Sequence, residues 1–132
     1  MKEFKHQILK GVNVITTRYG YIHWSEVDSK YSNACQVPLG KSVVLDRLVV
    51  KSSLRGLGRG SLLISNFLKL MKSRGYSHCC LIAHPLEDSG APKKDYEVEF
   101  SEDQRRLHRF YRRHGFRLLH WSTTGYMRKC LK

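Results

Sequence analysis

A glycine-rich turn is the segment of this chain whose residue types and spacing bear most directly on chemistry. Residues 55–60 read Arg-Gly-Leu-Gly-Arg-Gly. Glycines let the backbone turn tightly and approach a ligand closely. Where such a turn leads into a helix, free backbone N–H groups and the helix dipole favour an anion such as a pyrophosphate, and a flanking arginine adds charge for its oxygens. The turn therefore predicts a site for a phosphate-bearing ligand.

Two common phosphate-binding motifs do not fit this turn. A P-loop requires a lysine followed by Ser or Thr directly after its second glycine, and no lysine follows here. A dinucleotide-binding fingerprint requires a third glycine at the position that Ser61 occupies. The spacing that remains is Arg-x-x-Gly-x-Gly, filled by Arg55, Gly58 and Gly60.

A metal centre is a second kind of site that the residue types could form. His78, Cys80 and His84 are expected to share one face of a predicted strand and its end, and alternating ligands can bind zinc. The sequence offers no evident fourth ligand, and none of the four cysteines forms a Cys-x-x-Cys pair. We therefore predict no metal site and interpret the cysteines as reduced, mostly buried thiols.

A strand and a helix must flank the glycine turn if it is to bind an anion. Residues 42–50 are rich in apolar and β-branched residues, which predicts a buried strand, and residues 51–60 predict a loop. From Ser61 the apolar residues Leu63, Phe67 and Leu70 recur at i, i+4 and i+7, which predicts a helix that ends near Gly75.

The rest of the chain predicts a single α/β domain over residues 1–132, with a mixed central sheet and flanking helices. Ser101 and Gln104 give a capping-box signal for a second helix, which Gly115 ends. The remaining predicted elements are short strands at 11–15 and 17–24, a turn-like segment at 25–41, a buried strand at 78–83, a polar loop at 85–100, and terminal strands at 116–121 and 125–131.

This order of motifs resembles the GNAT superfamily of N-acetyltransferases. Arg55, Gly58 and Gly60 fill the acetyl-CoA loop of that family, and residues 45–50 look like its fourth strand. Residues 107–116 are similar to its later helix, which ends in Tyr-x-x-x-Gly-Phe. The resemblance spans residues 43–121 and implies a GNAT (acyl-CoA N-acyltransferase) fold. It also implies acetyl-CoA as co-substrate and direct attack of a primary amine on the thioester.

The resemblance assigns the cofactor contacts. In the family the fourth strand splays from its neighbour, and the pantetheine arm pairs with the exposed backbone. Gln104 stands where many members have Asn. The implied cofactor-binding residues are Leu48, Val49, Val50, Arg55, Gly56, Leu57, Gly58, Arg59, Gly60, Ser61 and Gln104.

Tyr111 and Asp46 are the catalytic candidates. Tyr111 matches the family tyrosine that commonly protonates the leaving thiolate, a reasonable task for a phenol. The alternative is a core tyrosine packed beside its neighbour on the helix. Asp46 is a candidate general base, expected to share a strand face with Leu48. His84 is a second candidate, and Val44 stands where some relatives carry a catalytic Glu.

Charge is the unusual bulk property, with 24 Lys and Arg against 11 Asp and Glu and a net charge of +13. Such a field attracts polyanions. Within the second helix it is carried by Arg105, Arg106, Arg109, Arg112 and Arg113. RNA is the first candidate partner of this arginine-rich helix, because the resemblance includes basic GNAT toxins that acetylate charged tRNA. An ordinary solvated helix face is the alternative.

Two rival functions and several partner questions stay open. The rivals are a non-catalytic basic nucleic-acid-binding module and a degenerate GNAT fold that binds acyl-CoA as a regulator. Residues 1–42 show no clear helix of the kind that usually lines the acceptor pocket, so the acceptor side is either open or completed by a second subunit in a homodimer. Without an apolar span or a secretory signal, we expect no membrane contact and a cytoplasmic location. The amine acceptor is not identified.

Overall fold

A seven-stranded mixed sheet organises the chain. The computed structural model describes residues 5–9, 12–54, 56, 58–83, 102–119 and 125–131. The strands are β1 (Lys5–Leu9), β2 (Val12–Thr17), β3 (Gly20–Glu26), β4 (Ser42–Val50), β5 (His78–Ile82), β6 (Arg117–Leu118) and β7 (Tyr126–Cys130). The helices are α1 (Ser29–Cys35), α2 (Arg59–Ser73) and α3 (Glu102–Arg113), and a 3-10 turn spans Ser52–Leu54.

The strand order across the sheet is β1-β2-β3-β4-β5-β7-β6. β4 and β5 are parallel, whereas the other neighbouring strands pair in antiparallel fashion. Parallel neighbours require a crossover, which α2 supplies here. The glycine turn therefore lies at the end of β4, where the chain leaves the sheet to begin α2.

Glycines in the left-handed conformation end both long helices. Gly75 and Gly115 have φ values of 89° and 91°. After α2, the N–H groups of Gly75 and Tyr76 donate to carbonyls of the last turn, and Gly115 and Phe116 repeat this pattern after α3. This paired bonding satisfies the final helix carbonyls and requires the left-handed residue that glycine adopts without strain.

Two cores lie on the two faces of the sheet. The larger one joins the sheet to α2 and α3 through residues that include Leu63, Phe67 and Tyr111. The smaller one joins the sheet to α1 through Cys35, Val37 and other residues. Adjacent residues on β5 divide between them, since Cys79 belongs to the first core and Cys80 to the second. Cys35, Cys79, Cys80 and Cys130 are all free thiols, and the first three are buried.

The structure confirms the strand predicted at 42–50 and the helices on either side of β5. Two elements were missed. The strand β1 was not predicted, and the turn-like interpretation of residues 25–41 was wrong because α1 lies within it. α1 is seven residues long and buries only Cys35, so it shows no apolar periodicity to detect. The polar loop predicted at 85–100 lies outside the described residues. Among the described helices, none is long and apolar enough to cross a membrane.

Candidate active site

The two parallel strands separate halfway along β4. Pairing between β4 and β5 begins at Ser42 with His78 and ends at Leu45 with Leu81. Beyond that point β4 continues to Val50 and pairs only with β3 in the described residues, while Ile82 pairs with β7. The backbone of residues 46–50 therefore has an edge that no described strand occupies. An extended chain with its own amide groups could pair with such an edge.

A β-bulge marks the point of separation. Trp24 stands opposite Leu45, and His23 stands opposite Arg47, so Asp46 is an extra residue in β4. A bulge of this kind bends the strand and shifts its face alternation by one residue. This explains why β4 departs from β5 at this point.

The bulge corrects one sequence expectation. Leu48 packs against the core that contains α2. Asp46 instead accepts a hydrogen bond of 2.9 Å from the Ser25 hydroxyl, and Ser25 stands opposite Val44 of the smaller core. Asp46 and Leu48 therefore lie on opposite faces of the sheet, because the inserted residue breaks the two-residue alternation on which the expectation rested.

The environment of Asp46 favours its protonated form more than water does. Its side chain reaches solvent, but loss of hydration beside the sheet raises the pKa of the carboxyl above its ordinary value. The Ser25 hydrogen bond and the charges of His23 and Arg47 act in the opposite direction. A raised carboxyl pKa is the direction in which proteins tune a general base.

Two glycines of the turn, Gly56 and Gly58, leave its backbone uncovered by side chains of their own. Gly56 and Gly58 have φ values of 81° and 75°, and among the described residues beyond their chain neighbours no atom lies within 4 Å of where a Cβ would stand on either. Gly58 caps α2 without a side-chain hydrogen bond, and the Leu62 N–H donates to its carbonyl at 3.2 Å. By helix geometry the preceding N–H groups of Arg59, Gly60 and Ser61 have no partner within the helix. They are available to an anion at this end of α2.

Arg59 is held against an aromatic ring. Its guanidinium carbon lies 4.7 Å from the centroid of the Tyr19 ring, and Arg18 lies 5.0 Å from the same centroid. The Tyr19 carbonyl also accepts from the Lys51 N–H at 2.8 Å. This contact draws Arg59 toward the turn between β2 and β3, so a cationic group stands on that side of the glycine turn.

Two contacts join α3 to the beginning of α2. A Cβ on Gly60 would stand 3.5 Å from the Phe110 ring and 3.6 Å from Val50. Ser61 Oγ lies 3.1 Å from a ring nitrogen of His114. The described cofactor candidates on β4 and α2 are thus adjacent, and α3 packs beside them.

Tyr111 lies in the core beneath this junction. It is 7% exposed and packs between Phe110 and Phe116, with ring centroids 5.1 and 5.6 Å away. Burial raises the pKa of its phenol, with a smaller contribution from Cys79. The group therefore remains protonated at neutral pH, which is the form that a general acid requires. Its catalytic role stays a prediction.

His108 is a residue that the sequence did not single out. It lies one turn before Tyr111, and its Nε2 atom is buried without a hydrogen-bond partner. A Cβ on Gly125 would stand 3.3 Å from that atom and 2.8 Å from the Ala83 carbonyl oxygen. Burial, and then the charge of Arg112, lowers the pKa of the imidazole. No sequence signal marks this histidine, because the chain folding around residue 125 creates its environment.

Three predicted residues lie outside the description. Arg55 and Leu57 of the glycine turn, and the candidate base His84, are not among the described residues, and for Gln104 only the helical backbone is described. No group of metal-binding side chains occurs within the described ranges 5–9, 12–54, 56, 58–83, 102–119 and 125–131.

Solved structures place this architecture among known folds. The AtaT–AtaR complex bound to DNA has a TM-score of 0.61 and 19% identity over 91% of this chain and 68% of that one. YhbS from Escherichia coli, a GNAT family N-acetyltransferase in complex with CoA, has a TM-score of 0.58 and 19% identity over 95% of this chain and 61% of its own. PaiA N-acetyltransferase from Thermoplasma acidophilum, in complex with coenzyme A, has a TM-score of 0.54 and 19% identity over 90% and 59%.

These similarities define the class of fold. The chain has the fold of the GNAT N-acetyltransferases. It spans about three fifths of the YhbS and PaiA chains. No sequence-family model matches it, and no curated protein sequence matches it.

Proposed function

We propose that this chain is an acetyltransferase of the GNAT superfamily that transfers an acetyl group from acetyl-CoA to a primary amine. The observation that carries the proposal is the open edge of β4 leading directly into a glycine turn and a helix N-terminus. An extended pantetheine arm carries amide groups that suit the first feature, and a pyrophosphate suits the second. The structures of YhbS and PaiA with coenzyme A support the same assignment.

The residues present fit that co-substrate. The backbone of Leu48, Val49 and Val50 would pair with the pantetheine arm, because no described strand pairs with that edge. Backbone N–H groups of Gly56 and residues 58–61 would hold the pyrophosphate. Arg55 and Leu57 complete the turn in sequence, and Gln104 lies in the first turn of α3.

The chemistry is direct acyl transfer. The amine nitrogen forms a bond to the acetyl carbonyl carbon, the carbon–sulfur bond breaks, and the thiolate leaves. Tyr111 would donate its phenolic proton to that thiolate, and the amine would lose a proton to a base. Asp46 is our candidate for that base. Because it faces the α1 side of the sheet, it would accept the proton from that side or through water.

The α1 face of the sheet is our candidate for the acceptor side. β1 and β2 are joined by only two residues, so no helix lies between them. On the α1 face, Tyr21, His23 and Arg47 are half-buried, and the first two rings lie 4.9 Å apart. We propose that this face receives the acceptor, which is a protein amine, a small polyamine-like molecule or an aminoacyl-tRNA. We propose that a second copy of the chain completes this face. A measurement of the mass of the protein in solution tests whether it is a dimer.

The test is release of CoA thiol from acetyl-CoA with and without a panel of amines that represents the three acceptor classes. Amine-dependent release, strongly reduced in Tyr111→Phe, is the expected result. Acetyl-CoA binding without release for any amine would favour the regulator. Absence of acetyl-CoA binding would leave the basic nucleic-acid-binding module as the better description.

A further inference from the structure

An open cleft lies beside the C-terminal end of α3, on the side of the helix that faces away from α2. It has a volume of about 480 Å³ and is lined by Arg112, Gly115, Phe116, Arg117 and Leu118. Its walls are the last turn of α3, the turn that follows it and the short edge strand β6. The arginine side chains at positions 112 and 117 are both exposed.

This cleft is separate from the glycine turn. Phe110 and His114 form the flank of α3 that contacts the beginning of α2. Arg112 follows His108 by four residues, and these two therefore share the opposite flank. His108 lies beside Gly125, just before β7, so that flank faces β7 and β6. The two sites are on opposite sides of one helix.

Charge in the walls is entirely positive. The described residues 102–119 and 125–131 contain seven arginines and one lysine, and their two acidic residues, Glu102 and Asp103, stand in the first turn of α3, at the opposite end of the helix from the cleft. The residues that line the cleft include two exposed arginines, Arg112 and Arg117, and no acidic residue. Like charges that lie close together repel each other, and a ligand with anionic groups would relieve this repulsion.

Two features favour phosphates of a nucleic acid over an acidic protein. The guanidinium fork matches phosphate oxygens in a bidentate manner, and arginine outnumbers lysine here by seven to one. A protein interface usually centres on apolar or aromatic anchors. The large exposed hydrophobic residues in the described ranges are Leu39 and Leu62, which lie before β4 and on α2, away from the cleft.

We propose that the cleft between α3 and β6 binds the phosphate backbone of a nucleic acid, with Arg112 and Arg117 contacting phosphate oxygens. The site goes beyond the proposed acetyl transfer and does not depend on it. It adds a binding surface that leaves the glycine turn free for its own ligand.

The experiment measures binding of a short labelled RNA by fluorescence anisotropy, without acetyl-CoA, between about 50 and 200 mM NaCl. We compare the parent chain with the double variant Arg112→Gln/Arg117→Gln. The matched control is Lys69→Gln/Lys72→Gln, which removes the same charge from exposed positions on α2. Thermal unfolding and acetyl-CoA affinity are measured for all three proteins.

The proposal expects the arginine double variant to bind RNA more weakly and to lose about 0.7 from the salt slope for each single-strand phosphate contact removed. The lysine variant should keep nearly the parent slope. Equal slopes for the two variants would overturn the proposal. Unlabelled RNA, inorganic phosphate and a polyglutamate peptide are also compared as competitors of the labelled RNA at equal total charge. If phosphate or polyglutamate displaces the labelled RNA as well as unlabelled RNA does, the proposal is likewise overturned. Because acetyl-CoA affinity is measured separately, a failure of the proposed acetyl transfer remains distinguishable from a failure of this site.

Discussion

Replacing Gly58 by aspartate and by asparagine gives a charge-specific test of the glycine turn. Gly58 has φ 75° and ψ 10°, and aspartate and asparagine are the non-glycine residues that tolerate this left-handed region best. Beyond its chain neighbours, no atom of the part of the chain that the structure describes lies within 4 Å of where the new Cβ would stand. The two variants therefore share their backbone strain and their size, and differ by one negative charge.

The size of the effect follows from Coulomb's law. Two unit charges about 4 Å apart interact with about 1 kcal/mol in water and about 4 kcal/mol at the effective dielectric constant near a protein surface. If a pyrophosphate binds beside the N–H groups that follow Gly58, the carboxylate repels it within this range. The affinity for acetyl-CoA should then be between about 5-fold and about 1,000-fold lower in Gly58→Asp than in Gly58→Asn.

Titration calorimetry with acetyl-CoA and with CoA measures this difference. Thermal unfolding of both variants serves as the control, and their midpoints should agree because the strain is common to both. Pantetheine should bind the two variants equally, since it lacks the negatively charged phosphates of CoA. If acetyl-CoA binds both variants with the same affinity, the anion does not lie at the beginning of α2, and the cofactor assignment fails.

Four other predictions test the site and its framework. Tyr111→Phe should lower kcat by about 100-fold to 10,000-fold with little change in acetyl-CoA affinity, and an unchanged kcat with chemistry rate-limiting would make Tyr111 a core residue only. Asp46→Asn should lower kcat/KM for the amine and remove an acidic limb from the pH–rate profile, and an unaltered profile would exclude Asp46 as the base. Gly125→Ala should lower the free energy of unfolding by about 2–4 kcal/mol, because φ is 92° and the new Cβ meets a backbone oxygen at 2.8 Å. Gly40→Ala is the control, because Gly40 has φ 81° and open space around the new Cβ. It should lose less free energy of unfolding than Gly125→Ala when both are measured by denaturant titration. Burial lowers the pKa of His108 below 6.5 in the folded state. The unfolded chain therefore binds more protons than the folded chain as the pH falls through about 6.5. Tm should fall over this pH range, and it should fall less steeply in His108→Asn.

Much of the framework could be predicted because its signals are local. A nine-residue run rich in apolar and β-branched residues predicted β4, and apolar spacing of four and three residues predicted α2. The same holds for the alternation that sends Cys79 and Cys80 to opposite faces. These patterns depend on residues within one element, so no knowledge of its neighbours is needed.

The details that shape the site depend on pairing between distant segments. The bulge at Asp46 exists only relative to β3, more than 20 residues earlier, and its position decides which face each later side chain occupies. The bond between Ser61 and His114 and the buried nitrogen of His108 arise from packing of α3 against other elements. α1 was missed because an Asp28 side-chain cap and one buried cysteine stabilise a helix too short to be periodic.

The bulge in β4 also determines which changes in chain length this strand can absorb. Loss of one residue at position 46 would leave Leu45 and Leu48 separated by two positions, which is the ordinary spacing for side chains on one face. β4 could then pair in regular register with β3 while keeping every later contact of Leu48 and Val50. Loss of one residue at 43 or 44 would instead turn the preceding apolar side chains to the opposite face. Related chains that are one residue shorter here should therefore lack the residue at the bulge, and that loss would straighten β4 and narrow its separation from β5.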